Sequence, residues 1–199
     1  MSLATSTKSS SAAPSVSCSP TRARKLGEEW VIILTMPVEI VRRDAGKEFP
    51  SRKLKTIAQK ILELVGQNRA ELSLALVENS EIQTLNAKYR KKDYPTDVLS
   101  FPVEDHLPAK ERLLGDVVIS VQKAKEQAKQ GRRSLDEEMM ILLIHGVLHL
   151  LGYDHERSAE EARIMTRLEK RLYRALCEQG VLEYNRRHTQ RSLRRLTHG

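Results

Sequence analysis

Cysteine is nearly absent from this chain. The two in 199 residues, Cys18 and Cys177, stand far apart and form no Cys-x-x-Cys pair, which excludes a disulfide framework and fits a reducing, cytoplasmic compartment. Hydrophobic runs are interrupted and fall short of the roughly 18 residues that a membrane span requires, so no membrane is expected as a partner. Acidic residues are missing from both ends: residues 1–27 carry +4 and residues 186–199 carry +5 of a net charge of +8, leaving the stretch between them one unit negative. The ends can therefore hold a polyanion, whereas the middle relies on local patches. The first 25 residues, with eight Ser, three Thr and four Ala, hold too little apolar surface to fold alone. The expected organisation is a disordered tail over 1–29, one domain with a substantial core over 30–185, and an Arg-rich tail over 186–199. A Ser-rich, acid-free start also fits an organelle transit peptide, the alternative to a cytoplasmic location.

What the chain does concentrate is histidine. Three of its six fall in the run His145-Gly146-Val147-Leu148-His149-Leu150-Leu151-Gly152-Tyr153-Asp154-His155. His145 and His149 are four apart, so on a helix their rings leave one face with Cβ atoms about 5–6 Å apart. Gly152 stands where a helix end takes a residue of positive φ, and the turn it allows brings His155 back toward the same point. Ser134 and Glu137 read as the capping box that opens this helix, and Met139 to Leu151 is apolar on nearly every face, which predicts burial. Imidazoles in that setting need partners, because a desolvated polar group without one costs on the order of 1–3 kcal/mol. One histidine on such a helix reads as a hydrogen-bonded core residue; three at this spacing read as a metal site. Three nitrogen ligands with no cysteine nearby suit one Zn2+ per chain best, with nickel, copper and iron left open.

The other elements alternate around this run. Residues 30–41 are β-prone and include Pro37, which puts the first strand in the half after it; Leu54, Ile57, Ala58, Ile61, Leu62 and Val65 have helical period. Leu72, Leu74 and Leu76 alternate as a strand. Ser80 and Gln83 read as a capping box for a second helix ending near Arg90. Val98–Val103 and Asp116–Ser120 read as strands and 121–130 as a helix. Ser158 and Glu161 cap a last helix whose Ala162, Met165, Leu168, Leu172 and Leu176 face the core.

A second concentration lies at residues 86–102, where a helix end joins a strand through a Pro-broken turn. Lys88, Arg90, Lys91 and Lys92 form the densest basic cluster outside the tails, and an arginine can bind two phosphate oxygens at once. Tyr89, Tyr94, Phe101 and Tyr153 are half of the eight aromatics. Bases of single-stranded RNA stack on such rings, although rings taken singly are more often core.

Together these segments resemble the YbeY family of metal-dependent endoribonucleases, or ribosomal RNA maturation factors. The resemblance rests on His-Gly-x-Leu-His-Leu-x-Gly-Tyr-Asp-His at 145–155, Asn-x-x-Tyr-Arg-x-x-Asp-x-x-Thr-Asp-Val-Leu-Ser-Phe-Pro at 86–102 and Leu-Gly-Asp-Val-Val-Ile-Ser at 114–120, and covers about residues 36–177. It implies His145, His149 and His155 as zinc ligands and Arg90 as the functional, catalytic arginine. It implies an α+β, zincin-like fold, a small mixed four-stranded sheet packed with helices around a central metal-binding helix. It also implies single-strand-specific cleavage of RNA in maturation of the 16S rRNA 3′ end and ribosome quality control, with rRNA and the small ribosomal subunit as partners. The two tails lie outside that pattern.

Three protein ligands leave a fourth position for water, and Arg90 is suited to neutralise charge growing on a phosphoryl group. A zinc protease places its general base directly after the first ligand, where this chain has Gly146, so a protease is not expected. Asp97, Asp154 and Glu156 are candidate bases from motif proximity, each equally a turn cap or a partner of a histidine; zinc-bound hydroxide and the 2′-hydroxyl of RNA are the alternatives. Arg90 has a plain alternative, pairing with Asp93 or Asp97. Two rival functions stay open: a metal-dependent hydrolase of another substrate class, and a ribosome assembly factor with a structural metal.

Overall fold

The computed structural model describes residues 22–26, 29–33, 38–42, 49–103 and 112–181; the Ser-rich start, Cys18 and the Arg-rich tail lie outside them. The chain divides into two units, residues 1–35 and 36–199. In the first, β1 (Arg22–Leu26) and β2 (Glu29–Ile33) form an antiparallel pair with Arg22 opposite Ile33. Part of the stretch expected to stay unfolded on composition is thus paired. Composition speaks to apolar burial, whereas a strand pair is drawn together by backbone N–H and C=O groups that nearly every residue carries. The β-prone stretch after residue 29 also yields two strands instead of one, β2 and β3 (Val38–Arg42).

Among its described residues the second unit is α+β, with a mixed four-stranded sheet in the order β3-β4-β6-β5 and five helices. β4 (Ala70–Val77) runs parallel to β3 and β6 (Arg112–Ser120), and β5 (Val98–Pro102) closes the edge antiparallel to β6. β6 begins four residues before the expected Asp116. A bulge at the pairing of Glu71 and Leu72 interrupts its register, and with it the alternation that marks a strand in sequence. Side chains on the central strands part to two faces, as a period of two requires. Leu72, Leu74, Leu76, Val117 and Ile119 enter the main core, while Val77, Leu99 and Val118 join Ile82 of α2 (Asn79–Arg90) in a smaller cluster.

Helix α2 starts two residues earlier than expected. Glu78 is its N-cap and its N–H donates to Glu81 Oε2 at 3.3 Å. Ser80 is inside the helix, its carbonyl accepting from the Thr84 hydroxyl at 2.9 Å, and the Gln83 amide donates to Asp93. The carboxylate of Glu78 can do the capping that sequence patterns assign to shorter side chains. The other two caps form as read: Ser134 and Ser158 accept from the N–H groups of Glu137 and Glu161, each at 3.1 Å.

Helix α4 (Leu135–Leu150) packs against β5, β6, α1 (Ser51–Leu64), α3 (Val121–Gly131) and α5 (Ala159–Glu178). Ten of its residues are buried, among them Met139, Met140, Leu143, Ile144, Val147 and Leu148. Each such side chain contributes roughly 1.5–3 kcal/mol by leaving water, against about 1–2 kcal/mol per residue for fixing the backbone. α4 approaches the sheet closely at Gly146. A Cβ there would lie 2.8 Å from Val117 Cγ1 and 3.2 Å from Ser100 Oγ, and the Ser100 hydroxyl donates to the Gly146 carbonyl at 3.0 Å. No side chain fits between helix and sheet at the position where a zinc protease carries its base. Gly146→Ala is expected to lower stability by about 1–3 kcal/mol through overpacking, read from the urea midpoint. An unchanged midpoint would show that Val117 yields freely.

Candidate metal centre and its cleft

The apolar surround of α4 leaves one strip where His145 and His149 are half-buried instead of sealed in. Their rings lie with centroids 4.6 Å apart and Nε2 atoms 3.1 Å apart. The helix ends at Leu150, and Gly152 at φ 89° reverses the chain while the Tyr153 N–H bonds back to the Leu148 carbonyl at 3.1 Å. The turn carries His155 to 5.3 Å from both other rings, centroid to centroid. One nitrogen from each histidine falls within 4.8 Å of the other two, and among the described residues no fourth group joins the cluster.

These residues fit a zinc ion. Bonds of about 2.0–2.1 Å in a tetrahedron set neighbouring nitrogens roughly 3.4 Å apart, close to the spacing of the helical pair. His145 Nδ1 lies 2.7 Å from Glu169 Oε1. A carboxylate there accepts a hydrogen bond from Nδ1–H, which keeps the proton on Nδ1 and leaves the Nε2 lone pair directed at the cluster. Glu169 went unnoticed in the sequence, yet it had a signal: it sits four residues after Met165 and three before Leu172, an acid on the apolar stripe of α5.

The histidines line a cleft of about 740 Å³ together with Arg90, Lys92, Tyr89, Tyr94, Tyr153, Asp154 and Glu156. The second motif thus meets the first in space. Two anchors bring it there: the buried Asn86 amide donates to the Tyr94 carbonyl at 2.8 Å, and the Asp97 carbonyl accepts the Ser120 N–H at 2.8 Å. Arg90 pairs with neither Asp93 nor Asp97. Its guanidinium lies 3.5 Å from Glu156, which Lys92 also approaches at 3.8 Å.

Of the candidate bases, Asp97 is occupied by structure. Its Oδ2 accepts from Gln127 at 2.8 Å, and its Oδ1 from Thr96 at 3.0 Å and the Val98 N–H at 2.9 Å. Burial works against its charge, but these donors outweigh it and hold the carboxyl below its ordinary 3.8. Asp154 caps the turn, accepting the Glu156 N–H at 2.9 Å, a bond that leads in holding its carboxyl below the ordinary range. Glu156 engages the two cations.

Desolvation, followed by the proximity of His145 and His155, pushes the His149 imidazole below its ordinary 6.5. The unfolded chain therefore takes up this proton first. Stability contributed by neutral His149 is complete above pH 6.5 and declines as the pH falls through the lower folded-state value. NMR titration of metal-free protein should give a His149 midpoint below 6.5; a midpoint at or above it would contradict this account.

A profile of the Endoribonuclease YbeY family matches residues 39–177. Among curated proteins, "Endoribonuclease YbeY" of Sulfurihydrogenibium sp. is 47% identical over 134 residues, 67% of this chain and 88% of that protein. Proteins of the same name from Persephonella marina and Aquifex aeolicus are each 43% identical, over 67% and 66% of this chain and 89% and 85% of their own lengths. With its three histidines, the arginine and the interposed strand motif lying inside the matched segment, the chain belongs to the YbeY endoribonuclease family.

Proposed function

We propose that this protein is a single-strand-specific, zinc-dependent endoribonuclease that matures the 3′ end of 16S rRNA, serves ribosome quality control and works on the small ribosomal subunit in the cytoplasm. One observation carries the nuclease reading: a single cleft holds three clustered imidazoles beside a guanidinium and further cations. The ribosomal part rests on the family resemblance. His145, His149 and His155 are the proposed ligands, and a zinc ion held by them supplies Lewis acidity for hydrolysis. A cluster of three protein groups favours an open catalytic site over a closed structural one.

The chain's own residues supply the rest. Glu169 holds His145 in the ligating tautomer. Arg90 is the proposed catalytic residue, directing its donors at a phosphoryl group as negative charge grows there. Before substrate arrives it is shared with Glu156. An exposed ion pair of this kind contributes less than about 1 kcal/mol, so a phosphate displaces the carboxylate at little cost. The tails, by their charge, are proposed to extend contact along the RNA backbone.

Two experiments test the assignment. His149→Ala should reduce bound zinc below one per chain and abolish RNA cleavage, whereas Glu169→Ala should weaken zinc binding by roughly 10–100-fold in a chelator competition; full stoichiometry in a folded His149→Ala protein would remove the ligand assignment. Arg90→Ala should lower the single-turnover rate by on the order of 10²-fold with zinc content and melting temperature unchanged, and Arg90→Lys should restore little because an ammonium lacks the planar two-point contact. Glu156→Gln separates the plain alternative: if Arg90 only steadies the turn through Glu156, that variant reproduces the full loss of Arg90→Ala.

A further inference from the structure

Large side chains left in water are informative where they cluster. Among the described residues, six large apolar or aromatic side chains are exposed, and three of them, Tyr89, Tyr94 and Tyr153, line the cleft that holds the histidines. The three are not equivalent. Tyr89 packs edge-on against Phe101 with centroids 5.1 Å apart, and the Lys88 ammonium lies 4.9 Å from its ring centre. Tyr94, 53% exposed, and Tyr153, 38% exposed, make no ring contact and no side-chain hydrogen bond among the described residues.

Both free rings stand on fixed backbone. The Tyr94 carbonyl is held by the buried Asn86 amide, and the Tyr153 N–H by the Leu148 carbonyl. A ring with a rigid support and two side-chain torsions loses little freedom when a flat partner stacks on it. Arg90 and Lys92 line the same cleft, which interleaves cations with aromatic faces as single-strand binding surfaces do.

We infer that Tyr94 and Tyr153 are stacking platforms for two unpaired nucleobases of an RNA strand whose backbone passes the three histidines, and that these rings are the source of single-strand selectivity. The inference rests on the RNA reading above. In a duplex each base face is covered by its neighbours, so a protein ring finds no partner until a base is unstacked; a single strand offers splayed bases at once. Tyr89, already engaged with Phe101 and Lys88, serves as wall and not as platform.

The test uses the full chain and a 2′-O-methyl single strand, its integrity checked by gel after each reading, in one version with bases and in another with abasic residues, with binding read by fluorescence anisotropy. Cleavage of the matching ribose strands is followed in parallel. Tyr94→Leu and Tyr153→Leu should each weaken binding of the base-bearing strand roughly 10-fold with no further loss on the abasic strand, and Phe at either position should restore binding. Losses equal on both strands, or absent on the base-bearing one, would overturn the inference. Binding does not require cleavage, so the two readings fail separately. Ring-dependent binding by a chain that cuts no RNA keeps the platforms and removes the nuclease; cleavage of RNA with no dependence on either ring keeps the nuclease and removes the platforms.

Discussion

The architecture turns on one conflict, between a helix that is apolar on almost every side and two imidazoles that cannot be buried without partners. α4 buries ten residues and retains a single wet strip, and His145 and His149 occupy it. The close seat of Gly146 on Val117 and Ser100 settles which strip this is. With the glycine edge pressed to the sheet, the histidines at positions on either side of it are held at the rim where β5 and the turn after α4 leave a cleft. Glu169 of α5 then engages the ring nitrogen of His145 that faces away from the cluster. Burial, tautomer and orientation follow from the same packing.

The second motif contributes through restraint of its backbone more than through its charge density. Lys88, Arg90, Lys91 and Lys92 are contiguous enough to repel one another, and exposed cations are screened within about 10 Å at moderate salt. What makes the segment specific is that its turn is tied at both ends. Asn86 is buried and holds the Tyr94 carbonyl, and Asp97 is saturated with donors from Thr96, Val98 and Gln127. Asp97 therefore serves as the pillar of the turn. Its low proton affinity keeps those bonds intact through the neutral range.

Glu156 links the motifs electrostatically. It follows His155 directly and lies within reach of both Arg90 and Lys92, so one carboxylate offsets part of the charge of two cations and the point stays net positive. Such a pair is weak because both partners are half in water, and because the Glu156 oxygens are divided between Arg90 and Lys92 the guanidinium lacks the two-point contact that a planar fork can make. The carboxylate thus keeps the arginine at the cleft without committing it.

Much of this was legible in the sequence. The i, i+4 histidines, the Gly152 stop and the serine caps of α4 and α5 are local in origin, set by helix geometry and backbone hydrogen bonding within a few residues, and each formed as read. The alternation at Leu72, Leu74 and Leu76 likewise needs only the two-residue period of a strand. What could not be read depends on partners remote in sequence. The Asn86 to Tyr94 tie, the occupation of Asp97 by Gln127, the pairing of Arg90 with Glu156 in place of Asp93 or Asp97, and the approach of Glu169 to His145 each join different elements. The start of β6 was hidden by a bulge, and the cap of α2 by an acid doing the work of a serine. Local chemistry by itself determined which side chains share a helix face, a strand face or a cap; only the packing of α4 between sheet and helices decided which of them meet, because a side chain's partner is fixed by the surface opposite and not by its own neighbours in the chain.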